Sequence, residues 1–234
     1  MRRAAVCFAL LLLPLLATPA PAAGVAVSGT TVGGVGAALL VPPHPKAALV
    51  LMTGGDGQLG VGADGSIARG GNQLVRTREA YAARGFAVLV PEGDVDVGAA
   101  VAAMSRFGKV TVVATSRGTQ RAARGIAAGA RPARLVLTSG FLSDASGDGD
   151  NAMRILGSPA TLPPTLIVHH RHDGCRKTSP EGVAPFLAWA AGRARVTWLD
   201  GGSDDGDACQ VRAHHGFAGL DGEVVAAVAG FAAK

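Results

Sequence analysis

Apolar and polar positions change period repeatedly along this 234-residue chain. Short, near-continuous apolar runs alternate with longer stretches in which apolar residues recur every three or four positions. The runs "AALLVP" (37–42), "AALVLMT" (47–53), "FAVLVPEGD" (86–94), "KVTVVAT" (109–115), "ARLVLTSG" (133–140), "TLIVHH" (165–170) and "ARVTWL" (194–199) predict strands. Helical spacing covers 72–85, 97–107, 119–130, 182–192 and 221–234. Strands apolar on both faces, interleaved with helices, predict an α/β domain over 24–234: a mostly parallel sheet with helices on both faces and no large lid. Such sheets carry their sites beyond the carboxyl ends of the strands.

The first 23 residues follow a different pattern. Arg2 and Arg3 precede an apolar run from Ala4 to Ala17, and small residues follow at "TPAPAA". That order is expected of a secretory signal peptide cleaved near Ala22 or Ala23, which places the mature chain in a periplasm or outside the cell. The run is short for a membrane span and contains Pro14. No later segment reads as transmembrane.

Composition narrows the function classes. The chain is 48% hydrophobic and 17% charged, enough to build a core. Its formal charge of +5 includes Arg2 and Arg3, so cleavage leaves about +3. No Lys/Arg cluster with interleaved aromatics is present, which argues against nucleic acid as a partner. Loss of the leader also leaves two cysteines, Cys175 and Cys209. In an oxidising compartment these are expected to form a disulfide, given a fold that brings them together.

The candidate chemistry centres on "VTVVATSRGTQRAARG" (110–125). An apolar β-branched run ends at Ala114-Thr115-Ser116-Arg117-Gly118 and a helical pattern begins. This is a relaxed small-x-Ser-x-Gly elbow, in which small flanking residues permit the sharp turn that lifts a nucleophilic hydroxyl above a sheet. The competing reading makes Ser116 an ordinary helix N-cap. A nucleophilic serine needs a base and a group to orient that base. Asp173 follows a predicted strand in "TLIVHHRHDGC", and His215 precedes the last helix in "AHHGF", which is the required chain order. Asp144 competes for the acid and His214 for the base; the glycine after His215 would let its ring turn inward. The Gly54–Gly55 backbone in "LMTGGDG" offers N–H groups for an oxyanion. A Cys175–Cys209 bridge would tie the acid loop to the histidine loop.

The glycine loop, "NQLVR", "ATSRGT", "HHRHDGC" and "AHHGFAGLDGEVVAAVAGF" together resemble an exported bacterial branch of the α/β-hydrolase superfamily. The resemblance runs through nearly the whole mature chain. It implies Ser116 as nucleophile, Asp173 as acid and His215 as base, with an oxyanion hole from the Arg117 N–H and the Gly54–Gly55 backbone. The 57 residues from Ser116 to Asp173 leave little room for a large lid, which suits a small acyl substrate, and a serine esterase of this kind requires no cofactor and no metal. The elbow departs from the pattern in carrying Ala114 at its first position and Arg117 after the serine.

Two other classes draw on the same residues. His169, His170, His172, Asp173, Cys175, Cys209, His214 and His215 suit zinc by type, although "HHRHD" lacks the spacing of a helical zinc motif. A secreted, non-catalytic binding domain on a hydrolase-like fold is the other. The aspartate-rich loop 200–209 reads as solvated rather than calcium-binding. Arg76, Arg78, Arg117 and Arg171 would favour an anionic substrate if they converged.

Overall fold

In a computed structural model, residues 24–234 are described, so the leader expected at 1–23 lies outside the described residues. Eight strands form one sheet: β1 (Ala26–Val32), β2 (Val35–Val41), β3 (Ala47–Met52), β4 (Phe86–Pro91), β5 (Val110–Thr115), β6 (Arg134–Thr138), β7 (Thr165–His170) and β8 (Ala194–Leu199). Their order is β1-β2-β4-β3-β5-β6-β7-β8. β1 pairs antiparallel with β2 and β2 antiparallel with β4, and every later pairing is parallel.

The α-helices among the described residues are α1 (Gln73–Arg76), α2 (Arg78–Ala83), α3 (Val97–Met104), α4 (Arg117–Ala127), α5 (Ala152–Leu156), α6 (Val183–Trp189) and α7 (Asp221–Ala232). Alternation along the strands divides the core into two layers. Ala48, Val50 and Met52 of β3 face a cluster with Val97, Ala100, Ile126, Leu156 and Phe186, from α3 to α6. Leu49 and Leu51 face the other way, toward Leu74, Tyr81, Val224 and Val228 of α1, α2 and α7. Each valine or leucine so buried contributes roughly 1.5–3 kcal/mol, which is why the central strands carry no polar face. No described helix is long and apolar enough to cross a membrane.

Three elements differ from expectation. The Gly-rich beginning forms β1, joined to β2 through Gly33 and Gly34 at φ 58° and 84°. That pair of left-handed residues is what a two-residue hairpin requires. The helix expected over 72–85 is broken at Thr77, whose hydroxyl donates to the Gln73 carbonyl at 2.7 Å. A threonine hydroxyl bonded to the preceding turn competes with the helical ladder. Between β6 and β7 the chain forms α5 flanked by two single 3₁₀ turns, at 144–146 and 159–161.

Candidate active site

Ser116 lies between β5 and α4 with φ 51° and ψ −125°. A non-glycine residue there costs on the order of 1–3 kcal/mol and persists only where the surroundings enforce it. The enforcement is visible on both sides. The Ser116 N–H donates to the Thr138 carbonyl at 3.1 Å. A Cβ on Gly118 would overlap the Met52 carbonyl oxygen and stand 2.7 Å from that of Thr53. Only glycine lets α4 start this close to the end of β3. Ser116 occupies the N-cap position of α4, yet its side chain caps nothing. The N-cap reading therefore does not account for the residue.

His215 sits in a 3₁₀ turn (His214–Gly216) and is buried. Its Nδ1 lies 3.1 Å from Oδ2 of Asp173, just past β7, whose carboxylate is fully enclosed. The other carboxylate oxygen accepts the Cys175 N–H at 2.9 Å. The Thr178 hydroxyl stands between the two, 3.0 Å from His215 Nδ1 and 3.4 Å from Asp173 Oδ2. A carboxylate only accepts, so the hydroxyl donates to Asp173, while the ring Nδ1–H donates to the carboxylate and to the hydroxyl oxygen. That tautomer leaves the His215 Nε2 lone pair free to accept a proton. The His215 carbonyl accepts from the Ser139 hydroxyl at 2.8 Å. Arg76 grips the following residues, donating to the Gly216 carbonyl at 2.7 Å while paired with Asp221. Gly216 is required by close packing, since a Cβ there would overlap the Val211 backbone.

Gly54 and Gly55 follow β3, and a Cβ on Gly54 would stand 3.0 Å from that of Ser116. Among the described residues, the N–H groups of Gly54, Gly55 and Arg117 donate no hydrogen bond. Arg121, one turn into α4, donates to the carbonyls of Gly55 at 3.1 Å, Gly54 at 3.4 Å and Thr53. Holding those carbonyls turns the N–H side of the loop away from the guanidinium. Ser116, Arg117, Gly54, Gly55, His215 and both cysteines line one cavity of about 470 Å³. Cys175 and Cys209 form a disulfide with a Cα–Cα separation of 4.6 Å, which ties the Asp173 turn to the segment leading into His215.

The same arrangement of sheet and helices occurs in solved structures of low sequence identity. TT1662 from Thermus thermophilus superposes with a TM-score of 0.61 at 17% identity, covering 90% of this chain and 98% of that one. The Pyrococcus furiosus esterase PF2001 gives 0.59 at 14% identity, over 88% and 90% of the two chains. Carboxyl esterase 2 of the mycorrhizal fungus Tuber melanosporum gives 0.56 at 16%, over 92% and 87%. The fold is the α/β-hydrolase fold. No protein-family model and no curated protein sequence matches the chain.

Within this hydrolase fold the competing assignments separate. Asp144 is exposed and engaged elsewhere, 2.8 Å from Arg154 and accepting from Asn151 at 2.6 Å, and these partners hold its carboxyl below the usual range. His214 stacks on His170 at 3.9 Å between ring centroids, outside the core. His169 is buried, and desolvation lowers the pKa of its imidazole. The disulfide removes both thiolates from any zinc set, and no group of three or more His, Cys, Asp or Glu among the described residues is placed to share a metal ion. The four arginines do not converge. Arg76 holds the histidine loop, Arg78 donates to the Val75 carbonyl, Arg171 lies over Trp198, and Arg117 alone lines the cavity.

Thr178 and Arg121 escaped the sequence reading. Thr178 carries no motif, and its importance depends on a contact across 37 residues. Arg121 had a faint signal in its place one helical turn after Arg117.

Proposed function

We propose that this protein is an exported serine hydrolase that cleaves a small ester. Ser116 Oγ attacks the acyl carbonyl carbon as His215 Nε2 takes its proton. Asp173, with Thr178, keeps the imidazole oriented and stabilises its cation. The N–H groups of Arg117 and the Gly54–Gly55 loop receive the oxyanion. His215 then protonates the departing alcohol oxygen. Water, activated by the same nitrogen, next attacks the acyl-enzyme and releases the acid and Ser116.

The observation that carries this reading is an uncapped serine at φ 51°, opening into the cavity that also receives a histidine 3.1 Å from an enclosed carboxylate. The esterases among the structural neighbours support ester bonds as the target. A cavity of about 470 Å³ suits a small substrate, within the roughly 300–1,000 Å³ of typical small-molecule sites. Export is supported by the charged-then-apolar leader and by a disulfide, which persists in oxidising compartments.

The test is labelling of the oxidised mature protein with a fluorophosphonate probe, beside Ser116→Ala and His215→Ala. Labelling of the wild type that both substitutions abolish is the expected result. A folded, oxidised protein that takes no label would overturn the triad and favour a non-catalytic binding domain.

A further inference from the structure

The charges around the cavity point to a class of substrate. Arg69, Arg117 and Lys177 line it, and Asp56 is its single lining carboxylate. Asp56 is already engaged, 2.9 Å from Arg69 and accepting the Gln58 N–H at 3.0 Å. Arg117 and Lys177 have no ion pair among the described residues. The aspartate-rich loop nearby places no carboxylate in the cavity lining: Asp200, Asp204, Asp205 and Asp207 all lie outside it.

Helix α4 adds an independent observation. A helix N-terminus carries a partial positive charge and favours carboxylates in its first turn. The first turn of α4 contains no acid and opens on Arg117, with Arg121 four positions later. Like charges at that spacing repel. Arg121 is half-buried beneath the Gly54–Gly55 loop and adds positive charge behind the cavity floor. The dipole and the Arg117 side chain thus add the same sign of charge at the cavity, with Arg121 behind its floor. A bound anion would relieve that repulsion.

We infer that the preferred substrate is a small ester carrying a second, anionic group, a carboxylate, on its acyl or its alcohol side, held by Arg117 and Lys177. This rests on the hydrolase reading above. Cations around a partly open cavity also raise the encounter rate of such a substrate in a salt-dependent way.

The experiment compares matched pairs that differ in the charged group. Monomethyl adipate against methyl hexanoate places the carboxylate on the acyl side; acetoxyacetate against propyl acetate places it on the alcohol side. With each partly exposed cation worth roughly two- to fivefold, kcat/KM for the anionic member of at least one pair should exceed its neutral partner by about tenfold at low ionic strength. The pair that responds identifies the side. Lys177→Gln and Arg117→Gln should each lower that ratio, and ~1 M salt should lower it further. Neutral esters hydrolysed with no preference in either pair, or a preference that neither substitution moves, would overturn this inference and leave the hydrolase standing. No turnover of any ester together with no fluorophosphonate label would overturn both.

Discussion

Replacing Thr178 with valine removes one hydroxyl from the candidate active site while keeping the side-chain shape. Thr178 is fully buried, with its oxygen 3.0 Å from His215 Nδ1 and 3.4 Å from Asp173 Oδ2. In Thr178→Val the carboxylate keeps the Cys175 N–H and His215 but loses the hydroxyl, and the imidazolium formed during catalysis loses its second acceptor. A hydrogen bond to a charged group contributes roughly 1.5–3 kcal/mol. The 3.4 Å contact is long, so about 1.5 kcal/mol is the appropriate figure and kcat should fall about tenfold. KM should change little, because Thr178 does not line the cavity. Thr178→Ser restores the oxygen and should recover most of the rate. Steady-state hydrolysis of a short-chain ester gives the kcat and KM split, and thermal melts report the fold. A valine variant within about twofold of wild-type kcat would refute the reasoning, being well short of the tenfold loss expected from one charged hydrogen bond. Equal losses in valine and serine variants would assign Thr178 a packing role instead.

Further outcomes follow from other contacts. Cys175→Ser with Cys209→Ser opens a bridge between residues 34 apart, which in the chain-entropy account lowers stability by about 3–4 kcal/mol. Calorimetry should register roughly 8–15 °C off the melting temperature, and an unchanged value would show that packing alone holds both loops. Gly118→Ala places a Cβ against the Met52 and Thr53 carbonyl oxygens; the elbow should distort, and fluorophosphonate labelling should fall sharply even where the protein remains folded. Burial depresses the His169 pKa from its ordinary 6.5. The unfolded chain therefore takes up a proton near pH 6.5 that the folded one resists. Its contribution to stability is full above that pH and is lost as pH falls below it, by at most about 1.4 kcal/mol per unit. Melting temperature should drop between pH 7 and 5, less so in His169→Phe, and identical slopes in the two proteins would exclude His169 as a source.

Local pattern carried the sheet a long way. The seven runs read as strands all lie in the sheet, and in the central ones burial between two helical layers demands apolar residues on both faces. β1, at one edge and largely exposed, is built of small and polar residues (AVSGTTV), whereas β8 at the other edge keeps a legible apolar run, ARVTWL. The break at Thr77 was not legible either. Apolar spacing continues across it into α2, and what interrupts the helix is one side-chain hydrogen bond.

The candidate site divides the same way. The pattern around Ser116 is written within five positions, Ala114 to Gly118, although what demands the glycine is its contact with the end of β3. The adjacent His214 and His215 differ by which side of a 3₁₀ turn they occupy. Asp144 and Asp173 both follow strands, and what separates them is an enclosed carboxylate 3.1 Å from a ring 42 residues away. Thr178 and Arg121 acquire roles only through such distant partners. Periodicity reports whether a position is buried, a property each residue shares with its neighbours in the chain. A hydrogen bond is decided within tenths of an ångström between segments that only the folded sheet brings together.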